Sequence, residues 1–455
     1  MKPVSDLIVS VSGIRGIVGQ GLVPETATRF AAALATFVDG GPIVVSRDGR
    51  PSGAILRHAV VAGLLGGGCK AFDLGIAPTP TCGLAIRKLG ATGGVQITAS
   101  HNPAEWNGLK LFSHRGMVLT AAEGRRLVEL FEQGQFRRAA WDHSGTLVEE
   151  RQANAWHRDR VLELVDTDRI RQRKLRVFVD ANGGAGGPAA RSLLEALSCQ
   201  HICSACAADG IFRHEPEPIE ANLTGICPEV PKHGADIGFV LDPDADRLAI
   251  VGEQGGYIGE ELTLALAAKF RLRQQPGPVV LNMSTSRVTE DIARSFGVAC
   301  HRSAVGEANV AEKMREVNAV IGGEGNGGVI DPRVGFVRDP FIGMGLILNL
   351  LAETGRSVSQ LVAELPAYSI VKEKHVAGRD ALPALFQALE RRWPEAASNR
   401  LDGLRLDWPD RWIHVRPSNT EPIVRVIAEA PTEGAARELC RQAAEMLPQE
   451  PGAPA

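Results

Sequence analysis

The sequence predicts an α/β protein of three α/β units in tandem, with largely parallel strands, followed by a smaller α+β domain. Three observations carry this. The chain has 455 residues, too many for a single hydrophobic core. Short apolar runs recur near residues 43–45, 95–98, 177–179, 237–241, 279–281 and 319–321, and each breaks into a loop rich in Gly, Asp or Ser. Between the runs lie helical patterns, and that alternation is the signature of strands crossed over by helices.

In chain order, SGIRG at residues 12–16 flanks an arginine with glycines that let the backbone fold tightly and present a guanidinium. Pro24 and Glu25 open an Ala-rich helix, the strand at 43–45 follows, and the polar loop SRDGRPSG at 46–53 leads into another helix. Residues 95–110, VQITASHNPAEWNGLK, form a strand that breaks at Ser100 into a loop facing solvent and resumes near Leu109. A helix at 189–197 precedes a short strand in HICSACAADG. After Tyr368 the texture changes to a charged linker, then the run LRLDWPDRWIHV, the loop RPSNTEP, the run IVRVIAEA, a helix from Glu433 and an unstructured tail at 450–455. The expected domains are 1–152, 153–252, 253–367 and 368–455.

Composition narrows the classes. With 44% hydrophobic and 23% charged residues the chain is globular. A formal charge of −3 supplies no basic field for nucleic acid or an anionic membrane. The longest apolar run, 341–351, is too short to span a bilayer, and the N-terminal residues lack a cleavage-like segment, so a cytoplasmic location is expected. Eight cysteines without a secretory signal read as reduced thiols. The spacing of Cys199, Cys203 and Cys206 matches that of certain iron–sulfur enzymes, but a strand through these residues would not present three thiolates from one loop.

Asp242, Asp244 and Asp246 alternate in DPDADR, followed by Arg247. So much like charge on one side of a segment calls for a cation, and oxygen-only ligands select a hard ion such as Mg²⁺. A calcium loop of the helix-flanked type would need glycine where Arg247 stands, and helices where GFVL and LAIV flank the loop. Phosphoryl transfer combines a carrier hydroxyl, a divalent cation and cationic donors. Ser100, the Asp loop and the nearby Lys110 meet that list, with Lys110 as general acid or base. RPSNTEP, with Arg425 beyond it, offers guanidinium, hydroxyls and backbone N–H groups to a phosphate monoester. GGEGNGG at 322–328 reads as a flexible loop that lets Glu324 and Asn326 reach sugar hydroxyls.

On SGIRG, TASHNP with NGLK, DPDADR, GGEGNGG and RPSNTEP, the chain resembles the α-D-phosphohexomutase family of phosphoglucomutases, phosphomannomutases and phosphoglucosamine mutases over nearly its whole length. The EWNGLK and GGEGNGG variants look most like archaeal-type phosphoglucosamine mutases. The resemblance implies three similar α/β domains with mixed sheets and a fourth like half a TATA-binding protein around a central cleft, and a mutase that moves phosphate between the 6- and 1-positions of a hexose through a bisphosphate. Ser100 would be the phosphoserine and, with Asp242, Asp244 and Asp246, would hold one Mg²⁺. Arg15, His101, Lys110 and Arg247 would serve catalysis, Glu324 and Asn326 the sugar, and Arg416, Ser418, Asn419, Thr420 and Arg425 the distal phosphate. Domain-four rotation would gate the site. A hexose 1,6-bisphosphate would prime the enzyme, a monomer or homodimer whose partners are small sugar phosphates. Gly328 stands where some members place a histidine, which leaves the second acid/base group open. A Mg²⁺-dependent phosphatase and a non-catalytic sugar-phosphate sensor are the rival readings.

Overall fold

The computed structural model describes residues 7–10, 13–378, 380, 382–417 and 423–447. Ser12, the phosphate-loop residues Ser418, Asn419 and Thr420, and the tail at 450–455 lie outside these. The first sheet and its helices run β1 (Leu7–Ser10), β2 (Gly13–Ile17), α1 (Pro24–Phe37), β3 (Ile43–Arg47), α2 (Gly53–Gly66), β4 (Ala71–Ile76), α3 (Thr79–Leu89), β5 (Gly93–Ile97), β6 (Trp106–Ser113), α4 (Ala121–Gln133) and β7 (Leu147–Glu149). The second unit runs α5 (Ala153–Leu162), α6 (Thr167–Arg173), β8 (Arg176–Asp180), α7 (Gly186–Ala196), β9 (Gln200–Ser204), α8 (Glu229–Lys232), β10 (Ile237–Leu241) and β11 (Leu248–Gly252). The third is α9 (Glu260–Gln274), β12 (Val279–Asn282), α10 (Val288–Ser295), β13 (Cys300–Ser303), α11 (Glu307–Glu316), β14 (Ile321–Glu324), β15 (Gly328–Ile330), α12 (Pro340–Thr354) and α13 (Val358–Ala363). The last is β16 (Ser369–Val376), α14 (Leu382–Arg392), β17 (Ala397–Asn399), β18 (Leu404–Asp407), β19 (Trp412–Pro417), β20 (Ile423–Ala430) and α15 (Glu433–Ala444).

One topology is used three times. The sheet orders β6-β5-β3-β4, β11-β10-β8-β9 and β15-β14-β12-β13 superimpose element for element. In each, the first two strands pair antiparallel and the rest pair parallel. The sheets are therefore mixed, as expected, and in each the antiparallel pair is a hairpin whose loop leaves the C-terminal end of a parallel-paired strand. Those ends are where open α/β sheets place ligands. The first sheet adds the β1–β2 hairpin beside β6 and β7 at its far edge. The fourth sheet, β16-β20-β19-β18-β17, is antiparallel throughout.

One expectation at the C-terminal end is corrected. The segment read as a charged linker is the edge strand β16, paired with β20 over its full length. Val371 turns inward and Lys372 and Lys374 turn out; lysines on an edge strand discourage pairing with other chains, which is why the segment looks like a solvated linker in sequence. The run LRLDWPDRWIHV supplies β18 and β19, joined by a turn in which the Trp408 N–H donates to the Arg411 carbonyl.

The apolar run at 341–351 is the middle of α12. Asp339 caps this helix by accepting from the N–H groups of Phe341 and Ile342, Pro340 sits at its first turn, and Gly355 ends it in the left-handed conformation. Every residue from 340 to 351 is buried, and an all-round apolar helix must be. It lies in a hydrophobic core that the second and third units share, with Val177, Phe239, Leu264 and Ile347 among its members. Among the described residues no helix is long and apolar enough to cross a membrane.

His157 on α5 ties three units together. Its ring is 2% exposed, with Nδ1 2.9 Å from Thr81 Oγ1 on α3 and Nε2 2.8 Å from Asp339 Oδ2 at the start of α12. Truncating it leaves a buried hydroxyl and a buried carboxylate without their partner, which costs about 3 kcal/mol. His157→Ala is expected to lower the thermal unfolding midpoint by several degrees; an unchanged midpoint would show that the strut carries no load.

Candidate active site

The loop after β5 is held by one side chain. Arg50, 1% exposed, directs all five of its N–H donors inward: Nε to Asp48 Oδ2 (3.2 Å), Nη2 to the carbonyls of Ser100 (2.8 Å) and Asn102 (2.6 Å), and Nη1 to those of Pro103 (2.5 Å) and Trp106 (2.9 Å). Asp48 also accepts from Thr98 Oγ1 at 2.6 Å, and that hydroxyl accepts from the Ser100 N–H at 2.8 Å. This scaffold forces Ser100 into the left-handed region at φ 51°, a strained conformation for a serine and one common at reactive elbows. Ser100 is only 3% exposed. The sequence reading put it in a loop open to solvent; the Asp loop of the second unit covers it instead.

That Asp loop joins β10 to β11. Asp242, Asp244 and Asp246 are fully buried, and an oxygen from each lies within 4.8 Å of the others. Ser100 Oγ donates to Asp242 Oδ2 at 3.1 Å, while Asp242 Oδ1 accepts the N–H groups of Asp246 and Arg247, both at 3.0 Å. Burial, then repulsion from Asp244 and Asp246, pushes the Asp242 carboxyl well above the usual carboxylate range. Asp244 Oδ1 and Asp246 Oδ1 are buried without hydrogen-bond partners. Three convergent carboxylates with orphaned oxygens and a serine hydroxyl beside them fit a hard divalent cation.

Cations surround the triad from three units. Lys110 on β6 is 8% exposed, and its Nζ lies 2.6 Å from Asp246 Oδ2 and 3.2 Å from Glu307 Oε2. Burial works against its charge, but the Asp246 and Glu307 carboxylates raise its pKa, so Lys110 is held as an ammonium. In this state it is a proton donor rather than a base. Gly13 positions the neighbouring strand: its φ of 126° and a would-be Cβ 1.8 Å from Leu109 O admit no side chain, and Arg15 follows two residues on. Arg15 Nη1 donates to Asn102 Oδ1 at 3.4 Å. His101 Nδ1 is 3.3 Å from Ser100 Oγ. Burial, then Arg247 and Arg15, drives His101 down to about 2, so its ring is neutral. Arg247 Nη1 reaches Glu217 Oε1 at 3.3 Å.

The sequence reading missed Arg50, Glu307 and Arg338. Arg338 is 8% exposed and bridges three carboxylates, with Nη2 2.5 Å from Asp246 Oδ2, Nη1 3.0 Å from Glu324 Oε2 and Nε 3.7 Å from Glu307 Oε2. It lies in the space beside Gly328, where an added Cβ would stand 2.3 Å from Arg338 Cδ. The signal available in sequence was the bare Gly328, which leaves room for a long side chain from elsewhere.

GGEGNGG is not a flexible loop. It is the tight hairpin β14–β15, and its glycines permit close backbone approach: a Cβ on Gly323 would lie 2.0 Å from Gly328 O. Glu324, 3% exposed, accepts from Asn282 Nδ2 (2.8 Å) and the Gly306 N–H (3.0 Å) besides Arg338. Asn326 is half-buried with its Oδ1 unpartnered. In the fourth unit Arg416 and Arg425 stand opposite each other on β19 and β20. Arg416 Nε is 3.1 Å from Asp402 Oδ2, which also accepts from the Val305 N–H at 2.9 Å, next to the Gly306 that bonds Glu324.

Comparison with known proteins agrees in extent with this four-unit architecture. The family description phosphoglucomutase/phosphomannomutase matches residues 6–138 (alpha/beta/alpha domain I), 156–256 (domain II), 259–368 (domain III) and 371–446 (C-terminal domain). A protein of Methanopyrus kandleri named probable phosphoglucosamine mutase is 37% identical over 94% of this chain and 95% of its own length. A phosphoglucomutase/phosphomannomutase of Thermococcus kodakarensis is also 37% identical, over 96% and 97%. The crystal structure of a phosphoglucomutase/phosphomannomutase family protein from Burkholderia thailandensis has a TM-score of 0.85 at 26% identity, covering 96% of this chain and 97% of that one.

Arg338 competes with any cation for Asp246. Arg338→Gln is expected to tighten binding of a divalent metal severalfold in calorimetric titration, because a positive charge leaves the immediate surroundings of the triad; weaker binding would overturn this account of the site.

Proposed function

The chain belongs to the phosphoglucomutase/phosphomannomutase family of phosphohexomutases, and we propose that it interconverts glucosamine 6-phosphate and glucosamine 1-phosphate through a phosphorylated Ser100. The observation that carries the mechanism is the strained, buried Ser100, whose hydroxyl points at Asp242 in a carboxylate triad ringed by cations. The phosphoryl group on Ser100 passes to the free hydroxyl of the bound sugar phosphate, giving a bisphosphate. The bisphosphate turns over within the cleft, and its other phosphate returns to Ser100. A hexose 1,6-bisphosphate therefore serves as primer for an enzyme that has lost its phosphate.

Each residue has a role in this reading. Asp242, Asp244 and Asp246, with the Ser100 phosphate, would hold Mg²⁺, which neutralises phosphate charge when bound. Arg15, His101 and Arg247 offer donors to the transferred group. Lys110, held protonated, gives a proton to Ser100 Oγ as it leaves phosphorus and takes it back on the return step, while the attacking hydroxyl passes its own proton to an oxygen of the transferred phosphoryl group. Glu324 uses the lone pairs its internal donors leave over to accept a sugar hydroxyl, and Asn326 Oδ1 accepts another. Arg416 and Arg425, with Ser418, Asn419 and Thr420, take the phosphate that is not reacting.

Two relatives of equal identity carry different substrate names, so the sugar rests on the loop sequences EWNGLK and GGEGNGG and on the Methanopyrus relative. Glucose and mannose phosphates are the alternatives. A phosphatase would need water at Ser100, and its burial favours return of the phosphate to sugar.

Kinetics with the three sugar 6-phosphates should give the highest kcat/KM for glucosamine 6-phosphate, and a higher value for glucose or mannose 6-phosphate would reassign the substrate. Ser100→Ala should abolish mutase turnover while leaving sugar-phosphate binding within about threefold, since the carrier oxygen contributes little to ground-state contacts. Retained turnover would refute Ser100 as carrier. The mass of the purified wild type should include one phosphoryl group that maps to Ser100.

A further inference from the structure

Cys203-Ser204-Ala205-Cys206 takes no part in the mutase site, yet it is the root of a segment that reaches that site. Cys203 lies half-buried one residue before the end of β9, and Ala205 turns the chain at φ 45° before Cys206, which is 7% exposed. The two thiols interact electrostatically with each other and Cys203 with Arg191 on α7, while Cys206 Sγ donates to the Ser204 carbonyl at 3.3 Å. Arg191 and Cys206 line a surface pocket of about 540 Å³ together with Ser192, Asp209 and Arg213.

From Cys206 the chain runs as a strap between the first two units. Its backbone is pinned by Gly183 N–H to Ala205 O (2.7 Å) and by Asn182 Oδ1, which accepts from Arg213 N–H at 2.6 Å. Phe212 lies under the Arg50 guanidinium, with the ring centroid 4.9 Å away. At the far end Glu217 Oε1 lies 3.3 Å from Arg247 and 3.8 Å from His101.

We propose that Cys203 and Cys206 form a redox-active dithiol that closes to a disulfide, and that the strap transmits this closure to the Ser100 site. A CxxC pair with an arginine beside it is suited to thiol chemistry, whereas a metal would need further donors and would be opposed by the guanidinium. Among the described residues the only group of three or more metal-ligating side chains is the Asp triad. Of the eight cysteines, Cys203 alone has its thiol lowered, to about 6, by Cys206 and by Arg191; burial raises Cys69, Cys82, Cys199, Cys227, Cys300 and Cys440, and the Cys203 sulfur together with burial raises Cys206.

The oxidant is a hydroperoxide. The Cys203 thiolate attacks its O–O bond, forming a sulfenic acid and releasing hydroxide, which takes up the proton the thiol lost. The Cys206 thiol then displaces water from the Cys203 sulfur as the S–S bond forms. With hydrogen peroxide, two thiols give one disulfide and two waters, and the two electrons end on oxygen.

The test is stoichiometric hydrogen peroxide on the full-length reduced protein, followed by peptide mapping and turnover assay. The expected result is a Cys203–Cys206 linked peptide, a several-fold change in kcat/KM and recovery with dithiothreitol. Reduced Cys203→Ser should keep wild-type turnover and show no response to peroxide. A peptide map without the link, or iodoacetamide labelling of another cysteine as fast as Cys203, would overturn the dithiol. A complete link with unchanged turnover would overturn its coupling to the site. The peptide map does not depend on which sugar is the substrate, so failure there is separable from failure of the proposed function.

Discussion

The Arg50 guanidinium is the constraint on which the site depends. Four carbonyls of residues 100–106 converge on it, and Asp48 takes its fifth N–H. A loop with this many inward-facing carbonyls would be unstable in a buried place without such a donor set, since each unpaired carbonyl costs about 1–3 kcal/mol. Lysine could not replace it, because three rotating donors on one atom do not match a planar fork. The left-handed Ser100 is thus a consequence of a side chain fifty residues earlier, and the face of the same guanidinium is covered by Phe212 from the second unit.

Around this elbow the molecule arranges opposite charges that no single unit could bury. Asp242, Asp244 and Asp246 come from the second, Glu307, Glu324 and Arg338 from the third, and Lys110 from the first. Asp246 is the junction, taking Lys110 and Arg338 on one oxygen while the other stays unpartnered. Pairing across units makes the charge balance conditional on their packing, so the site is complete only when the cleft is assembled.

The repeated sheet explains how such a site arises. Each of the first three units offers one hairpin loop from equivalent strands, β5–β6, β10–β11 and β14–β15, and the fourth offers Arg416 and Arg425, paired across β19 and β20. The same local geometry carries a hydroxyl in one, carboxylates in the next, and Glu324 with Asn326 in the third. The loop residues differ from unit to unit while the strand order is the same.

The sequence by itself determined the α/β alternation, the strand-ending loops and the residue types at Ser100, at the Asp triad and at Lys110, because period, turn chemistry and charge density are local properties. It misjudged β16, whose lysines mimic a linker, and GGEGNGG, whose glycines serve close approach rather than flexibility. Arg50, Glu307 and Arg338 were invisible, since nothing adjacent to them in the chain distinguishes a buried guanidinium or carboxylate from a solvated one. Only the tertiary structure decided that Ser100 is buried, that Lys110 is pinned as an ammonium and that an arginine lies in the room left by Gly328. The reason is physical: desolvation and long-range pairing depend on which distant segments meet, and that is fixed by packing rather than by neighbours in sequence.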